Sequence, residues 1–132
     1  MNSCDFIGKL LNNVTLQECE YGEGENKQVV PQAYFNLSVM RPGKVNGKFK
    51  YDSIPFKATG KLATFMHKYL KKGMRVGIHA RAESSKKRAA NGNWYDGYIL
   101  RVCAVFFIDK PDYEMEDLAY DENLYVNFND LG

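Results

Sequence analysis

At 132 residues the chain has the length of one domain, long enough to bury a core without disulfide or metal staples. Its 45% hydrophobic and 14% aromatic content suits a globular β-rich protein, and no stretch reaches the ~18 consecutive apolar residues of a membrane span. The formal charge of +2 hides a segregation: residues 1–108 hold 17 Lys+Arg against 8 Asp+Glu, a net +9, whereas residues 109–132 hold one Lys against 8 Asp+Glu, a net −7. A basic body suits a polyanionic ligand, and the division predicts a folded domain over residues 1–110 and an acidic C-terminal tail over 111–132. The opening Met1-Asn2-Ser3-Cys4-Asp5 lacks a basic region followed by an apolar stretch, so a cytoplasmic location is expected. Cys4, Cys19 and Cys103 are odd in number and widely spaced, which fits thiols in a reducing compartment rather than a disulfide framework or zinc site.

Residues 4–16 read as a first strand with a bend, with Phe6, Leu10, Val14 and Leu16 inward and Gly8 at a close approach or bulge. Residues 18–30 are polar, contain Gly22 and Gly24, and read as a loop interrupting or extending that strand. Residues 33–41 alternate, with Phe35, Leu37 and Val39 on one face. Arg41-Pro42-Gly43-Lys44 and Asn46-Gly47 are turn signals and enclose a basic hairpin tip. The next strand runs from Phe49 to about Thr59, with Ile54, Phe56 and Ala58 toward the core. Phe49, Tyr51, Ser53, Lys57 and Thr59 face away, and Pro55 demands an edge or a bulge.

Gly60 to Lys72 has helical spacing, with a stripe of Leu62, Phe65, Met66, Tyr69 and Leu70 that suits a plug for a barrel end. Residues 74–84 alternate again, Val76, Ile78, Ala80 and Ala82 pointing in. Ser84 to Asn93 reads as a basic loop holding Lys86-Lys87-Arg88 and the turn Asn91-Gly92, and Trp94 to Ile108 is the last strand region, with Cys103 in the core. A strand, a short helix, a strand, a basic loop and a last strand follow the order of the second half of an OB-fold.

Single strands of nucleic acid are held by cations along the phosphates and by rings that stack on the bases. Lys44, Lys48 and Lys50 lie near Phe49 and Tyr51 in the chain; Lys86, Lys87 and Arg88 precede Trp94, Tyr95 and Tyr98; Lys57, Arg81 and Arg101 are expected on strand surfaces between them. Support for catalysis is lacking. His67 and His79 stand apart, the body's carboxylates are scattered, and no Walker loop, Gly-x-Ser-x-Gly or Gly-x-Gly-x-x-Gly occurs. No catalytic residue, cofactor or metal site is expected.

Taken in order, these segments resemble the bacterial and phage single-stranded DNA-binding proteins over roughly residues 3–108. Phe6-Ile7-Gly8-Lys9-Leu10 resembles that family's opening strand, and Phe35 to Arg41 its second. Gly60-Lys61-Leu62-Ala63, then Tyr69-Leu70-Lys71-Lys72-Gly73 and Val76 to Arg81, resemble its helix, its Tyr-Leu-x-Lys-Gly and the strand that follows. Three positions where the family commonly places a stacking ring are polar here, at Ser53, Thr59 and near Lys87, which shifts the expected balance from stacking toward charge. The family's tail ends in Pro-Phe; this one ends Asn127-Phe128-Asn129-Asp130-Leu131-Gly132, a divergence that suits a phage or mobile-element protein.

The expectation is a five-stranded OB-fold barrel with one helix between strands three and four. It binds single-stranded DNA without sequence preference, in replication, recombination or repair. Lys44, Lys48, Lys50, Lys57, Arg81, Lys86, Lys87 and Arg88 meet phosphates; Phe49, Tyr51, Trp94 and Tyr95 stack. The resemblance implies a homotetramer built on dimers that pair first strands near Cys4 to Ile7, with a dimer as the fallback, and an acidic tail that recruits replication or repair proteins or competes with DNA. Two rivals stay open: a primosome-type interaction subunit and an RNA-binding OB module.

Overall fold

The computed structural model describes residues 1–109. The elements are β1 (Cys4–Leu10), β2 (Thr15–Tyr21), β3 (Gln28–Val45), β4 (Lys48–Thr59), α1 (Lys61–Tyr69), β5 (Arg75–Arg88) and β6 (Trp94–Phe107), with a single 3-10 turn at Gly24–Asn26. Hydrogen-bonded neighbours run β1-β5-β6-β4-β3-β2, and β1 pairs a second time with β3, so the sheet closes on itself. All pairings are antiparallel except β4 with β6, which is parallel. This is OB-fold connectivity.

The five-strand expectation holds when β1 and β2 are taken as two legs of one bent strand. β1 meets β3 at Lys9↔Ser38 and Leu10↔Leu37, and β2 resumes the same course at Thr15↔Tyr34. The bend between the legs is stapled by side-chain amides: Asn12 Oδ1 accepts from the Asn36 amide at 3.0 Å and Asn13 Oδ1 from the Lys72 amide at 2.9 Å. Gly8 is required where β1 crosses β3, because a Cβ there would meet the Ser38 carbonyl oxygen at 2.4 Å.

The polar segment 18–30 is not a loop. Its first part finishes β2 and its last part starts β3, joined through residues 22–27. Its polar residues point outward from the β2–β3 ribbon, and two of its residues, Cys19 and Tyr21, turn to one buried amide. The Gln32 side chain, 2% exposed, accepts from Cys19 Sγ at 3.2 Å and from the Tyr34 hydroxyl at 2.7 Å, and donates to the Tyr21 hydroxyl. Satisfied polar groups of this kind are compatible with a packed wall.

The inward residues of the strands and the helix form one core, with Phe35 and Phe56 stacked at 5.3 Å and Phe6 edge-on to Phe56 at 5.3 Å. The helix is shorter than its sequence spacing, ending at Tyr69, and all five stripe residues are buried. It follows β4 directly and plugs that end of the barrel. His67 is explained by structure: Nδ1 donates to the Val14 carbonyl at 2.9 Å. Pro55 is tolerated for a visible reason. Its partner Asn36 turns both backbone groups toward β1's continuation, so the missing Pro55 amide faces β6, where β4 pairs only at Phe56 and Lys57. Cys103 is half-buried rather than in the core, because strand alternation places it on the face of Arg101, between the buried Val102 and Ala104. Among the described residues no helix is long and apolar enough to cross a membrane.

Candidate nucleic-acid interface

Two hairpin arms extend from the barrel. One is the β3–β4 ribbon beyond Met40, ending in the turn Asn46-Gly47 at φ 53° and 77°. The other is the β5–β6 ribbon, whose register continues unbroken from Ala80↔Val102 to Arg88↔Trp94. Both arms leave from the same end of the barrel, away from α1, because β4 and β6 are parallel and each turn precedes its strand.

The second arm corrects the basic loop expected over Ser84 to Asn93. Lys86, Lys87 and Arg88 are strand residues opposite Asp96, Tyr95 and Trp94, and only residues 89–93 turn. The charges are tolerated because the ribbon projects into solvent and buries neither face. In the first arm only Asn46-Gly47 is the turn. Pro42 and Gly43 belong to a bulge in which residues 41–43 oppose Lys50, anchored by the Arg41–Asp52 ion pair at 2.6 Å.

The register sorts the twelve site residues onto two sides. Facing outward are Lys44, Phe49 and Tyr51 on the first arm, Lys87 and Tyr95 on the second, and Lys57 and Arg81 on the barrel wall between them. The Lys44 ammonium lies 5.0 Å from the centre of the Phe49 ring. On the side that continues the core face are Lys48 and Lys50 of the first arm and Lys86, Arg88 and Trp94 of the second. The Arg88 guanidinium lies 5.7 Å from the Trp94 ring centre. Lys48 and Lys50 are therefore not on the face of Phe49 and Tyr51, and Trp94 and Tyr95 lie on opposite faces. Strand alternation separates odd from even positions whatever their proximity in the chain.

Two residues outside that set belong to the surface. Tyr98 is the most exposed ring of the described chain at 73% and shares the side of Trp94, at 64%. Its spacing of four from Trp94 on one strand is the signal that identifies the shared face. Glu83 lies on the outer wall between two arginines: Arg101 Nε donates to its two oxygens at 2.8 and 2.9 Å, and Arg81 Nη2 donates at 2.8 Å. The hydrogen bonds from Arg101 hold the Glu83 carboxyl below the usual carboxylate range. Arg101 also donates to the Thr59 hydroxyl and lies beside Lys57 across the parallel junction. Arg81 thus reaches the surface already paired, and burial pushes the nearby Tyr34 hydroxyl up.

The chain matches no protein-family model and no curated protein. Among solved structures it is similar to the small single-stranded DNA-binding protein from Streptomyces coelicolor, with a TM-score of 0.57 and 16% identity over 81% of this chain and 95% of that one. At that identity the likeness is one of fold: the barrel is an OB-fold of the type found in that protein.

Proposed function

We propose that this protein binds single-stranded DNA without sequence preference, using the two arms and the wall between them. The observation that carries the reading is the pair of arms on one end of the barrel, each holding an exposed ring beside a cation: Phe49 with Lys44, Trp94 with Arg88. Rings on open ribbons stack on bases of any identity, and the cations track phosphates. OB-folds as a class take oligonucleotides on strands two and three and the adjoining loops, here the β3–β4 face and the β5–β6 arm. The fold shared with the Streptomyces coelicolor protein supports the same reading.

On this reading Lys44, Lys48, Lys50, Lys57, Arg81, Lys86, Lys87 and Arg88 meet phosphates, and Phe49, Tyr51, Trp94 and Tyr95 stack. Residues 1–110 form the binding domain. The segment 111–132, which lies outside the described residues, is a partner-recruiting tail. Protection of single strands in replication, recombination or repair, a cytoplasmic location and a homo-oligomer, tetramer or dimer, complete the proposal. A protein-interaction role has one observation in its favour: Ile7, Phe106 and Ile108 expose apolar surface where β1, β5 and the end of β6 adjoin.

The test is Trp94 fluorescence titrated with poly-dT and with a duplex of equal charge at two salt concentrations, with a mobility-shift assay alongside. Binding of the single strand at least about tenfold tighter than the duplex, weakening with salt, is the expected result. Absence of binding to either probe in both assays sinks the proposal and favours the interaction reading.

A further inference from the structure

The end of the barrel that α1 plugs is strongly basic, and the single-strand reading makes no use of it. Residues 53–82 contain no Asp or Glu, and within them Lys61, Lys68, Lys71 and Lys72 fall on α1 and on the segment that leads from it to β5. The helix turns Leu62, Phe65, Met66 and Tyr69 into the core, so Lys61, Thr64 and Lys68 share its outward face at helical spacing. Lys71 and Lys72 continue that exposed surface past the C-cap Leu70. The Lys68 ammonium lies 5.1 Å from the Tyr69 ring centre, and none of the four lysines has a carboxylate within ion-pair distance among the described residues. Each arm, by contrast, already carries an acid: Asp52 at the base of the first and Asp96 opposite Lys86 on the second.

The described chain ends beside this basic surface. Asp109 is clamped to Arg75: its amide donates to the Arg75 carbonyl at 3.2 Å, and its carboxylate accepts from the Arg75 amide at 2.9 Å and from the guanidinium at 2.7 and 3.0 Å. Arg75 stands three residues after Lys72, whose own amide is held by Asn13 Oδ1 at 2.9 Å. The sequence then turns acidic, with Asp112, Glu114, Glu116, Asp117, Asp121 and Glu122 and no basic residue from 111 to 132. Fully extended, the chain from Asp109 to Asp117 spans at most about 29 Å. The nine residues of α1 span about 14 Å, which leaves the helix lysines within that reach. Lys86 on the second arm stands roughly 36 Å away along β5. Exposed ion pairs are individually weak, but a segment tethered this closely acts at an effective concentration of about a millimolar, so a few such pairs suffice to hold it.

We propose that residues 112–122 dock on the plug end of their own chain, with their carboxylates on Lys61, Lys68, Lys71 and Lys72. The contact is an acidic peptide on a basic helix face, and it does not depend on the single-strand reading. Where the chain does bind DNA, it holds the tail's negative charge at the end of the barrel away from the arms instead of on them.

The experiment is carbodiimide cross-linking of the full chain, which joins a carboxylate to an amine it touches, followed by peptide mapping. An equal mixture of nitrogen-14 and nitrogen-15 chains separates links within a chain from links between chains. The expected result is links within one chain from Glu116, Asp117, Asp121 and Glu122 to Lys61 and Lys68, lost in ~1 M salt, where the Debye length is about 3 Å. Links from those carboxylates to Lys44, Lys48, Lys50, Lys86 or Lys87 instead overturn the proposal in favour of a tail that covers the arms. Links to the plug-end lysines only between chains overturn it in favour of a second copy. No links from the tail, or links indifferent to salt, overturn docking altogether. A second readout is amide NMR of the full chain carrying Lys61→Gln, Lys68→Gln, Lys71→Gln and Lys72→Gln together, all at exposed positions. The amide signals of residues 112–122 are expected to move to where they stand in a synthetic peptide of residues 110–132, and unmoved signals overturn the proposal. Neither readout involves oligo-dT, so the single-strand function stands or falls separately.

Discussion

The two arms leave the same end of one barrel and are built differently. The β3–β4 arm is bent by its bulge, pinned at the base by Arg41 and Asp52, and closed by a two-residue turn. Its two rings, Phe49 and Tyr51, stand two residues apart and share one face with Lys44. The β5–β6 arm is an unbroken ladder, and its adjacent Trp94 and Tyr95 take opposite faces, each with its own cation across the ribbon. Spacing by two concentrates a binding surface, whereas spacing by one divides it. On the proposed function the first arm would be contacted on one side and the second approached from either.

The largest effect separates these readings directly. Replacing Phe49 and Tyr51 together by Ala is expected to remove two stacked contacts, roughly 2–6 kcal/mol of single-strand affinity, against about 1–3 kcal/mol for Trp94 and Tyr95 together, since a strand lying on one face meets only one of that pair. Titration of the two double variants decides it, and equal losses mean that the strand wraps the second arm. Next in size is the salt response. If all three cations of Lys86, Lys87 and Arg88 met phosphate, their replacement by Gln would flatten the log–log salt slope by about 2. A strand on one face of the arm predicts about 0.7–1.4 instead, read from titrations across a salt series.

Glu83 sits on the wall between the arms and engages Arg81 and Arg101 with the charge a phosphate would bring, so on the proposed function it opposes binding there. Glu83→Gln is expected to tighten single-strand binding about two- to fivefold and to steepen its salt dependence. The pH dependence has a definite sign. With its carboxyl lowered in the folded state, this group's contribution to stability is fully present above its ordinary pKa of ~4.3 and is lost as pH falls through the lower folded value. Thermal unfolding of the parent and of Glu83→Gln should therefore differ by a constant amount from pH 7 to 5 and converge only in stronger acid. The smallest effect tests the first arm alone: Gly47→Ala places a side chain at φ 77° and is expected to destabilise by about 1 kcal/mol in urea unfolding.

Much of this architecture is legible in the residues. Phe35-Leu37 and Phe56-Ala58 announce wall strands by their period, the stripe from Leu62 to Leu70 announces the plug, and Gly8 marks the crossing with β3. What is not legible has physical causes. Lys86-Lys87-Arg88 reads as a loop because burial is the usual reason for strand alternation, and a ribbon in solvent needs none. Glu18 and Glu20 read as loop for the same reason, as the local pattern gives no hint of the Gln32 network thirteen residues away. The site is less legible than the fold. Its residue types are evident, but faces follow from register, and register depends on where β1 changes partners from β3 to β5.

That change of partners also has a timetable. β1 finds most of its pairs on β5, with Cys4 opposite Ala80 and Lys9 opposite Arg75. Some 65 residues separate the two strands, so at ~5–20 residues per second β1 leaves the ribosome roughly 3–13 seconds before its principal partner has been made. Through that interval its edge is open and Ile7 is the apolar residue on its outer face, flanked on the same face by Asp5 and Lys9. Those two charges keep the waiting edge from presenting a wholly apolar face, and in the finished barrel Asp5 takes His79 as its partner at 2.6 Å while Lys9 stands opposite Arg75.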